Sequence, residues 1–240
     1  MLQYQKPNPE FVFDTMSLSL FDHAQRKSIS ILRAVEQDLH TNMSKDDILT
    51  CVHKHAATEG VTGWLRPPLV RLSTKTGIQS LQKGSILQIH IQPVFADVFG
   101  SIGRSISFQS PEEKIIAEAK ELCFATCTFA NRRKCVGELF VFAHSWCVNH
   151  RMELEHKKNI GHRCFSQEEA GLLWPYSARA LSMLRRNQIQ WYNPRRMEGI
   201  FAVHPFLEKH DLFAGFAEMI AVEGEERRLL GRDSFDELGT

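Results

Sequence analysis

His90 stands near the middle of a polar strand face, where an imidazole could bind a metal ion. The stretch 84–108 predicts two strands joined by a turn. One face of the first strand is aliphatic, and the alternate face is mostly polar; the polar-side positions are Ile86, Gln88, His90 and Gln92. A solvent-exposed strand would show the same alternation, so this stretch alone leaves both interpretations open.

Other residues with reactive side chains have simpler structural explanations. His53 and His55 lie two positions apart on a predicted helix, where they point in different directions and indicate a solvated surface. Glu169 closes the capping pattern Ser-Gln-Glu-Glu that starts at Ser166. The cysteines have no CxxC spacing and are expected to be reduced and mostly packed; they are Cys51, Cys123, Cys127, Cys135, Cys147 and Cys164.

Helical periodicity predicts the elements that carry or support these residues. Apolar positions at helical spacing predict helices over residues 17–39 and 44–59, the second capped by Ser44 and ended by Gly60. A third helix is expected over 110–130, with Ser110 as N-cap and Glu113 completing a capping box. A fourth is expected over 136–148.

The remaining segments predict strands and irregular chain. Residues 61–77, with Pro67 and Pro68, indicate irregular chain containing a short extended piece at 69–72, and this segment could line a pocket. Extended pieces are expected at 199–205 and 213–222. The charged tail that follows is expected to fray.

The composition sets limits on the class of protein. The 240 residues are 43% hydrophobic and carry a net charge of +1, which favours one globular domain and gives no general attraction to nucleic acid or to a membrane. No long apolar segment and no signal-peptide pattern is present, so a soluble cytoplasmic protein is expected. Its partner is expected to be a small molecule, and a homodimer is compatible with the sequence.

Five short motifs, in order, resemble those of the pita-bread metallopeptidases, the family of methionine aminopeptidases, prolidases and creatinases. They are His90-Ile-Gln-Pro, Ser101-Ile-Gly-Arg104 eleven residues later, Gly161-His162, Glu198-Gly-Ile-Phe-Ala-Val-His204-Pro205, and Glu218-Met-Ile-Ala-Val222-Glu-Gly224. The resemblance implies an α+β fold in which two helix pairs back a curved antiparallel sheet. It implies a single domain over 1–240, without the extra N-terminal domain of prolidases and creatinases.

The metal-binding positions of this family differ here. The resemblance places His90, Ser101, His162, His204 and Glu218 where relatives hold two ions with two Asp, one His and two Glu. Three imidazoles and one carboxylate suit a single divalent ion, and Ser101 lacks the carboxylate that would bridge two. The sequence therefore predicts one transition metal bound by His90, His162, His204 and Glu218, with iron favoured and manganese or zinc as alternatives. Histidines filling the space of lost ligands in a protein without metal are the competing interpretation.

Three functions are compatible with these departures. The first is a mononuclear metalloenzyme for a small amino-acid-like or carboxylate metabolite, with an iron-dependent oxygenase favoured over a hydrolase; a standard dinuclear peptidase is not expected. The second is an inactive peptidase homologue that binds a peptide or protein, and the third is a single-metal hydrolase. Ser101 and Glu169 are the candidate catalytic residues, and the candidate pocket residues are Trp64, Thr74 and Trp174.

Overall fold

The computed structural model describes residues 15–73, 80–155, 159–165, 187–209 and 212–232. The helices in these ranges are α1 (Thr15–Asp38), α2 (Lys45–Thr58), α3 (Lys114–Phe129) and α4 (Val136–Asn149). The strands are β1 (Gly63–Ser73), β2 (Ile86–Phe95), β3 (Val98–Phe99), β4 (Ile102–Ser107), β5 (Glu153–Leu154), β6 (Gly161–Arg163), β7 (Gly199–Val203), β8 (Phe206–Lys209), β9 (Leu212–Gly215), β10 (Glu218–Glu223) and β11 (Glu226–Leu229). None of the described helices combines the length and apolar character needed to cross a bilayer.

The strands form antiparallel sheets. In the first, β2 pairs with β1 on one side and with β3 and β4 on the other. The second has the order β11-β10-β7-β6, and a small third sheet has the order β5-β8-β9. A bridge between Gly103 and Ala217 joins the first two, and a Cβ on Gly103 would lie only 3.0 Å from the Ala217 Cβ. Glycine is therefore required for this close approach.

Two helix pairs cover these sheets and bury the core. One core cluster joins α1 and α2 to aliphatic residues of β2 such as Ile89 and Ile91. The other joins α3 and α4 to β7 and β10, through residues such as Phe201 and Ile220. This arrangement confirms the predicted α+β architecture, because amphipathic helices bury their apolar stripes against the sheet.

The predicted strand pair around His90 is confirmed in register. His90 lies opposite Gly103 of β4, whereas Ile89 lies opposite Arg104. Because successive side chains alternate between the faces of a strand, His90 and Arg104 belong to opposite faces of this sheet. We use "the β2 polar face" for the side of β2 that carries Gln88, His90 and Gln92.

Helix α3 begins later than the sequence predicts. It starts at Lys114 with Glu113 as its N-cap, which makes no side-chain capping hydrogen bond. The Glu113 amide instead donates to the Ser107 hydroxyl at 3.0 Å, and the Ser110 hydroxyl contacts the Pro111 carbonyl. The capping box predicted from Ser110 and Glu113 is therefore wrong, because Ser107, the last residue of β4, accepts the hydrogen bond from this amide. The capping box predicted at Ser44 is confirmed, with Asp47 as its partner.

Two segments assigned to irregular chain are strands. Strand β1 covers Gly63–Ser73, and its register shifts between Arg66 and Leu69, where Pro67 and Pro68 interrupt the ladder. Prolines are tolerated at such irregularities because they have no amide to donate. The beginning of the charged tail forms β11 and pairs with β10. The predicted extended piece 213–222 is in fact split between β9 and β10.

Candidate functional site

Three of the predicted metal ligands lie close together. His90 comes from β2, His162 from β6, and His204 directly follows β7. The ring centroids of His90 and His204 are 5.4 Å apart, and those of His162 and His204 are 6.1 Å apart. Phe206 lies against both His90 and His204, at 5.3 and 5.7 Å. The structure therefore gathers imidazoles from both main sheets into one cluster.

Gln92 connects this cluster to Ser101. Its Nε2 atom lies 3.3 Å from the Ser101 Oγ atom and 3.2 Å from the His162 Nε2 atom. The His90 Nε2 atom is 3.4 Å from the same serine oxygen. An amide nitrogen has two hydrogens to donate, so both contacts of Gln92 can be satisfied at once.

His162 is a neutral residue in this network. Its Nδ1 atom lies 3.3 Å from the Arg163 carbonyl, which can only accept, so we assign the ring hydrogen to Nδ1. The Nε2 atom is then the acceptor for Gln92. Burial, with a smaller effect from the positive charge of Arg66, lowers the pKa of His162 to about 3. The ring is expected to carry no charge at any pH near neutrality.

Ser101 is fixed by helix α1. The Gln25 side chain accepts a hydrogen bond from the Ser101 amide at 2.8 Å and donates to the Ser101 carbonyl at 2.9 Å. Both residues are fully buried. Because the serine backbone is held from both sides, its hydroxyl is directed between His90 and Gln92.

Glu218 has a different setting from the histidines. Its Oε1 atom accepts hydrogen bonds from the guanidinium groups of Arg104 and Arg232, the latter at 3.1 Å. Burial raises the pKa of Glu218, and Arg104 opposes this rise. Gln25 also hydrogen-bonds to this carboxyl group. Because Arg104 extends from the face of β4 that packs on α1, these contacts lie on the α1 side of the sheet.

This donor arrangement does not fit the predicted four-ligand metal ion. Among the described residues, no group of three or more His, Cys, Asp or Glu side chains is placed to hold one. The Glu218 Oε1 atom already pairs with two guanidinium groups, and the Gln92 nitrogen occupies the space 3.2 Å from the His162 Nε2 atom. A metal–imidazole bond of about 2.0–2.1 Å would require that space. The predicted ligand set therefore separates into a histidine cluster and an arginine-paired carboxylate.

Trp64 is the one remaining predicted site residue that the structure describes, and it does not join the histidine cluster. The Trp64 ring contacts His53 of α2 edge-on at 5.4 Å, so it packs on the helix side of β1. Thr74, Glu169 and Trp174 lie outside the described residues.

Several histidines and cysteines were predicted from the sequence to have structural roles, at the surface or in the core, and the structure places them there. His53 is exposed, and His55 lies 2.8 Å from Asp38 in a surface pair. Cys123 and Cys127 are buried in the core, as predicted. None of these side chains joins the histidine cluster.

Sequence reasoning missed three residues that organise the site: Gln25, Gln92 and Arg232. The alternation that placed His90 on a polar face also placed Gln92 there, so a signal for Gln92 was present. No sequence pattern indicated Gln25 or Arg232, because Gln25 lies on a helix and Arg232 lies in a tail with no recognisable pattern.

Comparisons with known proteins support the fold. No family model and no curated protein sequence matches the chain. Solved structures do match: a prolidase from Pyrococcus furiosus has a TM-score of 0.73 at 12% identity, covering 92% of this chain and 65% of its own. An X-Pro aminopeptidase from Thermotoga maritima has a TM-score of 0.72 at 12% identity, with coverages of 92% and 62%. The methionine aminopeptidase from Thermotoga maritima has a TM-score of 0.70 at 12% identity, with coverages of 92% and 98%.

These matches cover different shares of the other proteins. This chain spans less than two thirds of the prolidase and of the X-Pro aminopeptidase, and nearly all of the methionine aminopeptidase. At 12% identity the similarity concerns the path of the backbone and not the chemistry of the site. The helix pairs and antiparallel sheets agree with it, and the chain has the pita-bread fold shared by prolidases, X-Pro aminopeptidases and methionine aminopeptidases.

Proposed function

We propose that this chain is a pita-bread protein that binds a peptide at the β2 polar face and does not act as a dinuclear metallopeptidase. One observation carries the proposal. Both polar atoms of the Gln88 amide, and the Gln92 Oε1 atom, are buried and have no hydrogen-bond partner among the described residues. His90, between these glutamines, is only half-buried, so solvent reaches the face at its position.

Unpartnered amide atoms favour a ligand that is itself rich in amides. Each buried polar atom left without a hydrogen bond costs about 1–3 kcal/mol, and a ligand that supplies the missing bond recovers that amount on binding. Peptide N–H and C=O groups match the donor and acceptor of a glutamine side chain. Proteins of the same fold include a dipeptidase and an X-Pro aminopeptidase, which act on peptides.

Replacement of Gln88 by leucine tests peptide binding independently of the stability of the fold. We expect Gln88→Leu to leave the free energy of unfolding unchanged or higher, because it removes two unpartnered buried atoms. The same change should weaken binding of an X-Pro dipeptide, such as Ala-Pro, by about tenfold or more, because a hydrogen bond to the ligand is lost. Calorimetric titration and chemical denaturation measure the two effects.

Gln37→Leu is the matched control, because Gln37 is exposed on α1 and lies away from the β2 polar face. It should not change dipeptide affinity. Equal affinity of the Gln88→Leu variant and the wild-type protein, or no dipeptide binding at all, would contradict the proposal.

A mononuclear metal-dependent enzyme is the second candidate function. It is favoured by the close approach of three imidazoles, a ligand type that suits iron, manganese and zinc. Such an enzyme would act on a small amino-acid-like or carboxylate metabolite, as an iron-dependent oxygenase or as a single-metal hydrolase. For this function the Gln92 amide has to leave the His162 Nε2 atom.

Metal analysis distinguishes the two candidates. After incubation with Fe(II), Mn(II) or Zn(II) and removal of the excess, we expect less than about 0.1 equivalent of metal per chain, because the Gln92 amide already contacts the His162 Nε2 atom. About one equivalent, lost in both His90→Ala and His204→Ala but kept in the exposed-histidine control His53→Ala, would instead establish the metalloenzyme. Elemental analysis by mass spectrometry gives the stoichiometry.

A further inference from the structure

A cavity of about 140 Å³ lies on the other side of the first sheet from the histidine cluster. Its walls come from α1, β4 and α3, and Arg232 contributes from the segment after β11. Arg33 and Glu112 at its edge are exposed, so the cavity opens to solvent. None of the predicted site residues that the structure describes lines it.

The charges that the described residues place around the cavity are predominantly positive. Arg33, Arg104, Lys120 and Arg232 line it, against the carboxyl groups of Glu36 and Glu112. Arg104 and Arg232 also share an ion pair with Glu218. These residues together comprise four cations and three carboxyl groups. Burial raises the pKa of Glu36, and the charges of Arg104 and Arg33 oppose this rise.

Part of the cavity wall is aliphatic. It is lined by Leu32 and Ile29 of α1 and by Ile102 and Ile106 of β4, and Phe216 adds an aromatic ring. The Arg104 guanidinium lies over that ring at 5.2 Å, which places a cation beside the apolar lining. A cavity of about 150 Å³ accommodates a benzene molecule, so this one holds a ring or a short aliphatic chain.

We propose that this cavity binds a small monocarboxylate, with the carboxylate towards Arg104 and Lys120 and the apolar body against Phe216 and the aliphatic wall. Charge-assisted hydrogen bonds from guanidinium and ammonium groups select a carboxylate over a neutral group of the same shape. The site does not depend on peptide binding, because the sheet separates it from the β2 polar face.

Benzoate and benzamide test the charge requirement, since they share a ring and differ in the charge of the polar group. Calorimetric titration of the full chain should show benzoate binding at least about tenfold tighter than benzamide, because a hydrogen bond to a charged group contributes about 1.5–3 kcal/mol. Equal affinities, or no benzoate binding at millimolar concentration, would overturn the proposal.

Lys120→Met tests the position of the site, because it removes one charge and keeps the length of the side chain. Lys114→Met is the matched control: Lys114 is exposed on the same helix and does not line the cavity. Benzoate affinity should fall at least about tenfold in the first variant and stay unchanged in the second. Equal effects of the two variants would mean that benzoate binds elsewhere. The wild-type comparison of benzoate with benzamide remains decisive if Lys120→Met fails to fold.

Discussion

Replacement of Glu218 by glutamine is expected to lower the free energy of unfolding by about 3–5 kcal/mol. The Glu218 carboxylate is the shared acceptor for Arg104 and Arg232, whose side chains are only 11% and 3% exposed. Glutamine has nearly the same shape but no charge, so the variant leaves two buried guanidinium groups without their counter-charge. The loss comes from the two arginines, which no longer have a counter-charge. It does not come from the carboxylate itself, because burial disfavours the charged form of Glu218, as its raised pKa indicates. Chemical denaturation at pH 7 measures it.

A second substitution identifies the cause of this loss. Adding Arg232→Met to Glu218→Gln removes one buried charge that has lost its counter-charge, so the double variant should recover part of the lost stability. Glu208→Gln, on an exposed position of β8, is the control and should change stability by less than about 0.5 kcal/mol. A Glu218→Gln variant as stable as the control would show that the arginines do not depend on this carboxylate.

The fold could be predicted from the sequence because the hydrophobic patterns that indicate helices and strands are periodic and repeated. The stripe of Ile31, Leu32 and Val35 predicted α1, and the alternation around His90 predicted β2 with the correct face. The order of the short motifs then predicted the pita-bread arrangement. Where a prediction failed locally, a tertiary contact decided the outcome: Ser107 captures the Glu113 amide and delays the start of α3.

The site was less predictable because motif positions specify the backbone and not the partners of a side chain. The motifs placed His90, His162 and His204 correctly near each other. They could not show that Gln92 contacts the His162 nitrogen, or that Arg232 reaches Glu218 from a tail that was expected to fray. Ser101, Gln92 and His162 form a hydrogen-bonded network that no motif describes.

The stability of the protein is expected to depend on pH through His162. Burial lowers its pKa in the folded chain to about 3, whereas an unfolded chain has a histidine pKa near 6.5. Between these two values the unfolded chain binds one more proton, so stability rises with pH by about 1.4 kcal/mol per unit and is fully present above pH 6.5. Acidification from pH 7.5 to 5.0 should therefore remove about 2 kcal/mol that depends on this residue alone.

The variant His162→Gln isolates this contribution from those of the other ionisable groups. Glutamine can still accept a hydrogen bond from Gln92 but cannot gain a charge below neutrality. The difference in unfolding free energy between the wild-type protein and the variant should decrease by about 2 kcal/mol from pH 7.5 to 5.0, whereas His144→Gln, at an exposed histidine, should follow the wild-type protein. A difference independent of pH would mean that His162 is protonated as readily in the folded chain as in the unfolded one, and that the Gln92 network does not hold it neutral.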